Sequence, residues 1–178
     1  MKIAIKNPLL SVTLLLMAFV AVTATASAQV SGQAFNGFQK NSKDPIQIEA
    51  DGLEFLDAKN MAIYKGRVKV RQGSSVITAH RMTVNFNQGK GDERGDIRDL
   101  IFDGNVVATS GENTVTGDKA LYTVQTEIVV VTGKVIISQG ENAAMGCKLT
   151  ANLRTNVAKV DSCNRRVQTI LTPGSNNN

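Results

Sequence analysis

Three segments of the chain repeat one pattern, and that pattern restricts the fold more than any other feature. They are IYKGRVKVRQG (Ile63–Gly73), IFDGNVVATSG (Ile101–Gly111) and VVVTGKVIISQG (Val129–Gly140). In each, an apolar or aromatic residue stands two places before a glycine, β-branched or small residues follow two and four places after it, and a second glycine closes the unit seven places on. Gly66, Gly104 and Gly133 head the copies. Tyr64, Val68 and Val70 share one phase, as do Phe102, Val106 and Ala108, and Val131, Val135 and Ile137. Strict alternation with these residue types predicts strands with one buried face. Gly73, Gly111 and Gly140 fall where turns are needed, and glycine meets positive φ there at little cost.

Each copy has a second half. Thirteen residues beyond the leading glycines stand Ala79, Gly117 and Gly146, which open AHRMTV, GDKALY and GCKLTA and set Arg81, Lys119 and Lys148 near Met82, Leu121 and Leu149. A unit is therefore a strand, a turn and a return strand. Successive units are spaced 38 and then 29 residues apart, and the longer interval holds NQGKGDERGD, which reads as a loop; the repeat is quasi-regular. No segment after Gln29 sustains a capped apolar stripe of helical period, and prolines beyond it stand only at 45 and 173. The expected fold is all-β, as a sandwich, a jelly roll or a short solenoid. Aromatics are few, and β-branched and small residues fill the predicted inner face, so the core should be slim or hollow.

The N-terminus carries an export signal. Lys2 and Lys6 precede an apolar run from Leu9 to Val22, and Ala26-Ser27-Ala28 supplies the small-x-small pattern of a cleavage site, giving a mature chain from Gln29. A retained anchor competes, but the run is shorter than the roughly 20 residues that span a bilayer. Removing residues 1–28 leaves 150 of the 178, enough for one domain, and lowers the formal charge from +5 to +3 because Lys2 and Lys6 leave. A mild positive balance suits an anionic partner or simply a solvated surface. Nucleic acid is disfavoured, since the cations are scattered without aromatic stacking partners. Cys147 and Cys163 bracket a hairpin turning near Thr155-Asn156, and an oxidising compartment favours their pairing. Setting Leu149, Ala151 and Leu153 against Ala158, Val160 and Ser162 places Cys147 opposite Asn164, one residue off, which a bulge would reconcile.

DPIQIEADGLEFLDAKNMAIYKGRVKVRQGSSVITAHRMTV (Asp44–Val84), continued by VTGDKALY, VVVTGKVIISQG and RRVQTILTP, resembles the OstA-like family, whose periplasmic members carry lipopolysaccharide between the two membranes of Gram-negative bacteria. The resemblance covers residues 44–173; no one motif is diagnostic, but PIQIEAD, three ordered units and the terminal RRVQTILTP are specific together. It implies a twisted, open β-jelly roll of repeated antiparallel strand pairs with an apolar interior. The organisation expected is a signal peptide (1–28), a flexible N-terminal segment (29–44), the jelly-roll domain (45–173) and a disordered tail (174–178).

The cargo implied is lipopolysaccharide, held by its lipid A. Exposing an acyl chain of a dozen carbons costs on the order of 10 kcal/mol at about 0.8 kcal/mol per CH₂, so a carrier must cover the chains and can leave the sugars in solvent. The candidate lipid-binding residues are Tyr64, Val68, Val70, Phe102, Val106, Val131, Val135 and Ile137 on the repeat strands, and Met82, Val84 and Leu121 on the return strands. Ile46 and Ile48 join them through their match to the family's first strand. An apolar strand face is ordinarily just core, and in a hollow jelly roll one residue can serve both ends. An open jelly roll also ends in edge strands that invite pairing: one near PIQIEA, the other from LTANLRT through VQTILTP. The implied partners are the jelly-roll domains of inner- and outer-membrane lipopolysaccharide-transport proteins and further copies of the chain, head to tail.

Other classes find less support. His80 is the single histidine, in a predicted strand, with no nucleophile pattern around it. Glu49, Asp51, Glu54 and Asp57 lack calcium-loop spacing and read as a solvated edge and turn. Arg94-Gly95-Asp96 spells an adhesion tripeptide by chance. Neither zinc spacing nor a phosphate-cradling loop is present, so no catalytic group, metal or cofactor is expected. The alternatives are a membrane-anchored bitopic component of the same transport system, a structural β-repeat protein without cargo, and a periplasmic hydrolase.

Overall fold

The leading glycine of each repeat lies at the middle of a long strand rather than at its start, and its backbone shapes the whole sheet. The computed structural model describes Phe35, residues 43–90 and residues 94–172. The signal segment with its cleavage site, most of the segment before Lys43, and the tail from Pro173 lie outside the described residues. The strands are β1 (Gln47–Glu49), β2 (Gly52–Leu56), β3 (Met61–Gln72), β4 (Ser75–Phe86), β5 (Ile97–Ser110), β6 (Asn113–Thr123), β7 (Ile128–Gln139), β8 (Asn142–Asn152), β9 (Val157–Asp161) and β10 (Gln168–Ile170). All pair antiparallel in one sheet. From β3 to β8 each strand lies beside its neighbour in sequence. β1 and β2 share the free edge of β3, and β9 and β10 share that of β8. The all-β fold expected from the repeats, in the open form implied by the family resemblance, is the one found.

The turns at Gly73, Gly111 and Gly140 have φ of 57°, 58° and 55°, as the closing glycines require. The leading glycines do something else. Lys65 faces Arg81 and Val68 faces Ala79, so Gly66 and Arg67 together oppose His80. In the same way Gly104 and Asn105 oppose Asp118, and Gly133 and Lys134 oppose Cys147. Each is a β-bulge, which bends the bulged strand and sharpens its twist. Gly66, Gly104 and Gly133 reach φ of 71°, 81° and 100°, and Arg67 and Asn105 follow at 42° and 48°. The bulges line up across the sheet as a crease.

At the crease the return strands change phase. Ser75, Ile77 and Ala79 are buried, His80 and Arg81 are both exposed, and burial resumes at Met82 and Val84. β6 repeats this, with Val115 and Gly117 buried before Asp118-Lys119 and Ala120 and Tyr122 buried after. One face therefore stays apolar along the full strand while the sheet bends. The two walls on either side of the crease share a single buried cluster.

Side chains from the preceding strand meet each bulge. Asp51, in the break between β1 and β2, accepts from Arg67 Nη2 at 2.6 Å and Nε at 2.9 Å. His80 packs on Gly104 and contacts the Asn105 amide at 3.3 Å. Asp118 packs on Gly133. Cys147, next in this series, bonds to Cys163 with a Cα–Cα separation of 5.9 Å. Cys163 has φ 54° and follows Asp161, which pairs with Lys148, so it occupies the position of Arg67 and Asn105 in its own edge. The expected pairing is present in a register two residues from the one drawn from sequence. Leu149 faces Val160 and Ala151 faces Ala158, so Ser162, not Asn164, falls opposite Cys147. The turn after β9, where Asn164 N and Arg165 N donate to the Ser162 carbonyl, brings the thiols together.

The acidic residues near the N-terminus form an edge and a turn, as read. The carboxyl of Asp51 is held below the usual carboxylate range by its hydrogen bonds from Arg67, and that of Glu54 by Lys65. Arg94 of the Arg-Gly-Asp tripeptide bonds Asp57 at 2.9 Å and lies over the rings of Phe55 and Phe86, where it clips the loop to the end of the sheet.

The crease predicts an unusually unforgiving glycine. A Cβ on Gly133 would stand 2.1 Å from Asp118 Oδ2 at a φ of 100°. Gly133→Ala is expected to cost about 1–3 kcal/mol in urea unfolding, as strain plus steric displacement.

Candidate functional trough

The repeat strands supply one side chain to the interior at each even step on either side of the crease. Val68 and Val70 from β3, Val106 from β5, and Val135 and Ile137 from β7 line one wall, each at most 4% exposed. Met82 and Val84 from β4, Phe102 from β5 and Val131 from β7 line the other, at most 3% exposed. All nine belong to one buried cluster, with Tyr64 and Ile48 partly buried against it. Ile48 faces Val70. Ile46 stands just before β1 and is 44% exposed, so it lies at the rim and not in the wall.

Leu121 does not point inward. It faces Ile101 and Val130 on the outer side, while its neighbours Ala120 and Tyr122 are buried. The physical reason is the phase change at Asp118-Lys119: counted from Gly117, the residue equivalent to Met82 and Leu149 is Ala120. Bulk suggested Leu121; spacing selects Ala120.

Several wall residues were not singled out from sequence. Leu100 and Val129 continue the even phase of Phe102 and Val131 by two residues and were available to the same counting. Ala62, Ala79, Ala108, Ala144 and Ala151 are buried as well, which keeps the interior slim. Phe35 had no periodic signal. It is 2% exposed and lies among Ile77 from one wall and Leu100, Phe102, Ala120, Tyr122 and Val129 from the other, where about 10 Å³ remains free. An aromatic ring from outside the sheet thus fills space between the walls.

The trough contains almost no polar chemistry. Tyr122 is 8% exposed with its hydroxyl buried and unpaired, and burial, aided by the Glu127 charge, pushes that phenol up to about 12. Glu127 is itself tied to Arg154 at 3.2 Å at the end of the sheet. Among the described residues no group of three or more His, Cys, Asp or Glu is placed to hold a metal ion. His80 lies on the exposed outer side of the crease. What this geometry offers is an apolar slot closed along the crease and unpaired at both edges.

Comparisons with known proteins agree with this architecture. The family profile described as LptA/(LptD N-terminal domain) LPS transport protein matches residues 47–157. "Uncharacterized protein R00383" of Rhizobium meliloti is 35% identical over 158 residues, 86% of this chain and 85% of the relative. The lipopolysaccharide export system protein LptH of Pseudomonas aeruginosa is 38% identical over 55 residues, 31% of this chain and 29% of that one. The crystal structure of LptH, described as the LptA homologous periplasmic component of the lipopolysaccharide transport device, aligns with a TM-score of 0.62 at 19% identity, covering 73% of this chain and 96% of that one. At that identity the likeness is one of fold.

The placement of Leu121 gives a direct test. Phe102→Ala empties a fully enclosed site and is expected to cost about 3–5 kcal/mol, whereas Leu121→Ala on the outer face should cost about 1 kcal/mol or less. Chemical denaturation of the two variants measures the difference, and similar losses would return Leu121 to the wall.

Proposed function

The chain belongs to the LptA/LptD N-terminal-domain family of lipopolysaccharide transport proteins, and on that premise we propose that it carries lipopolysaccharide with the lipid A acyl chains shielded in the trough. One observation carries the reading: apolar side chains from every long strand form a continuous inner face, and the ring of Phe35 occupies the space between its walls as an apolar guest. An acyl chain has the same need for cover. The residues proposed to contact it are Tyr64, Val68, Val70, Met82, Val84, Phe102, Val106, Val131, Val135 and Ile137, with Ile46 and Ile48 at the rim of the first strand. Leu121, on the outer side, is left out.

The second part of the proposal is a bridge. Leu53 and Phe55 on β2 are 47% and 49% exposed, and they pair with Tyr64 and Ala62, so they extend the inner face to the N-terminal edge. Ile170 and Leu171 at the other edge are 56% and 57% exposed. Two apolar, unpaired edges of opposite ends favour heterologous pairing, which propagates and sets troughs end to end. The same edges would receive the jelly-roll domains of membrane partners. An export signal cleaved after Ala28, expected from the sequence, would put this work in the periplasm, a compartment that also suits the Cys147–Cys163 bond. The LptH structure, described as a periplasmic component, supports that location by analogy. The family is one of transport proteins and no catalytic step is assigned.

Two experiments address the proposal. Photo-crosslinking residues at Val68, Val106 or Val135 should capture lipopolysaccharide in cells, while those at the exposed neighbours Arg67 or Asn105 should not; equal capture in both phases would overturn the trough. Deleting residues 164–178, or placing proline at Thr169 or Ile170, should weaken concentration-dependent oligomers in analytical ultracentrifugation. A folded truncation that assembles as before and still delivers lipid would replace the bridge by a free carrier.

A further inference from the structure

The series of ties along the crease has one break. The residue after each bulge reaches back to the strand before it: Arg67 to Asp51, Asn105 to His80, and Cys163 to Cys147. Lys134 occupies that position in the third repeat, and its counterpart Asp118 packs on Gly133, yet no ion pair joins the two. Lys134 instead lines an outer-surface pocket of about 660 Å³ between β7, β8 and the segment joining β9 to β10. Its floor includes Ile136, Met145 and Gly146, and its rim carries Arg165 and Arg166. None of the lining residues is acidic, and among the described residues the charged side-chain groups of these three cations have no ion-pair or hydrogen-bonding partner. Of the other described cations, Lys65, Arg67, Arg94, Arg98, Lys119, Arg154 and Lys159 are each paired to a carboxylate and Lys43, Lys59, Lys69, Arg71, Arg81, Lys90 and Lys148 are not, so what distinguishes Lys134, Arg165 and Arg166 is that the three share one concave surface.

Like charges gathered on one concave surface repel unless an anion joins them, and arginine forks match phosphate oxygens in particular. The disulfide prepares the site: by tying Cys163 to β8 it fixes the start of the turn that presents Arg165 and Arg166 opposite Lys134. Ile136, 44% exposed, adds an apolar surface beside the cations. We propose that this pocket is a binding site for a phosphate group, separate from the trough and formed by Lys134, Arg165 and Arg166. The phosphate comes either as a free anion or on a lipid headgroup.

The test uses the mature, oxidised protein at low salt with two probes. Inorganic pyrophosphate is titrated by calorimetry, and phosphatidylcholine vesicles with and without phosphatidylglycerol are used in co-sedimentation. Lys134→Gln/Arg165→Gln/Arg166→Gln should lower affinity for the bound probe by about tenfold or more, since charged hydrogen bonds of this kind are individually worth that much. Lys43→Gln/Lys59→Gln/Lys90→Gln removes the same charge elsewhere and should bind as the parent does. All six residues are exposed, so thermal melting should be unchanged in both variants. A Cys147→Ser/Cys163→Ser variant that keeps its β circular-dichroism spectrum should also bind more weakly, although it retains every cation. Pyrophosphate binding without vesicle binding identifies a free anion as the ligand; phosphatidylglycerol-dependent vesicle binding alone identifies a headgroup. The proposal is overturned if neither probe binds, if the pocket variant binds like the parent, or if the control variant loses as much. Lipopolysaccharide capture in the trough is read separately, so its failure would leave this result standing.

Discussion

A single sheet with one apolar face must cover that face largely with itself, and much else in this chain follows from how it manages to do so. No α-helix among the described residues packs on the sheet, so apart from the ring of Phe35 the cover must come from bending. The extra residue at Gly66, Gly104 and Gly133 bends each odd strand at the same height. The even strands answer with two successive outward residues, which keeps the apolar face inward beyond the bend. Had the phase not changed at His80-Arg81, Met82 and Val84 would face water; the crease and the alternation are one device.

Much of this was legible. Alternation around the glycines identified both walls, because a period of two survives any bend that adds residues in matched positions. The spacing from Gly66, Gly104 and Gly133 to Ala79, Gly117 and Gly146 likewise holds in the structure, as facing positions across each hairpin. The function of the leading glycines is not legible, since the residues two before and two after them keep one phase whether or not the glycine carries a bulge. Leu121 differs from its expected place because side-chain size and repeat position point to different residues, and position decides. The hairpin register missed by two because an apolar face is equally well formed after a shift of two, and only the backbone at Cys163 distinguishes the alternatives. Phe35 belongs to no repeat, so no periodic argument could reach it.

Core and cargo impose different demands on the same walls. A core is most stable when filled, and here alanines at 62, 79, 108, 120, 144 and 151 keep facing side chains short. The ring of Phe35 takes up part of the resulting space. A buried phenol with no partner, at Tyr122, is a further sign that the interior is not arranged solely for rigidity, because such a hydroxyl usually costs stability. On the proposed function, such walls would tolerate exchange of what lies between them.

The order of strands has a consequence for how the chain acquires its shape. From β3 to β8 every pairing is with the next strand along, through turns of a few residues or one short loop. Contacts of this kind have low sequence separation, and chains rich in them fold quickly because little loop entropy is lost before each contact forms. Hairpins can therefore consolidate one after another from the N-terminal side, without waiting for a distant segment. The Cys147–Cys163 bond, at the last hairpin, then acts as the closing stitch of a seam that is already sewn.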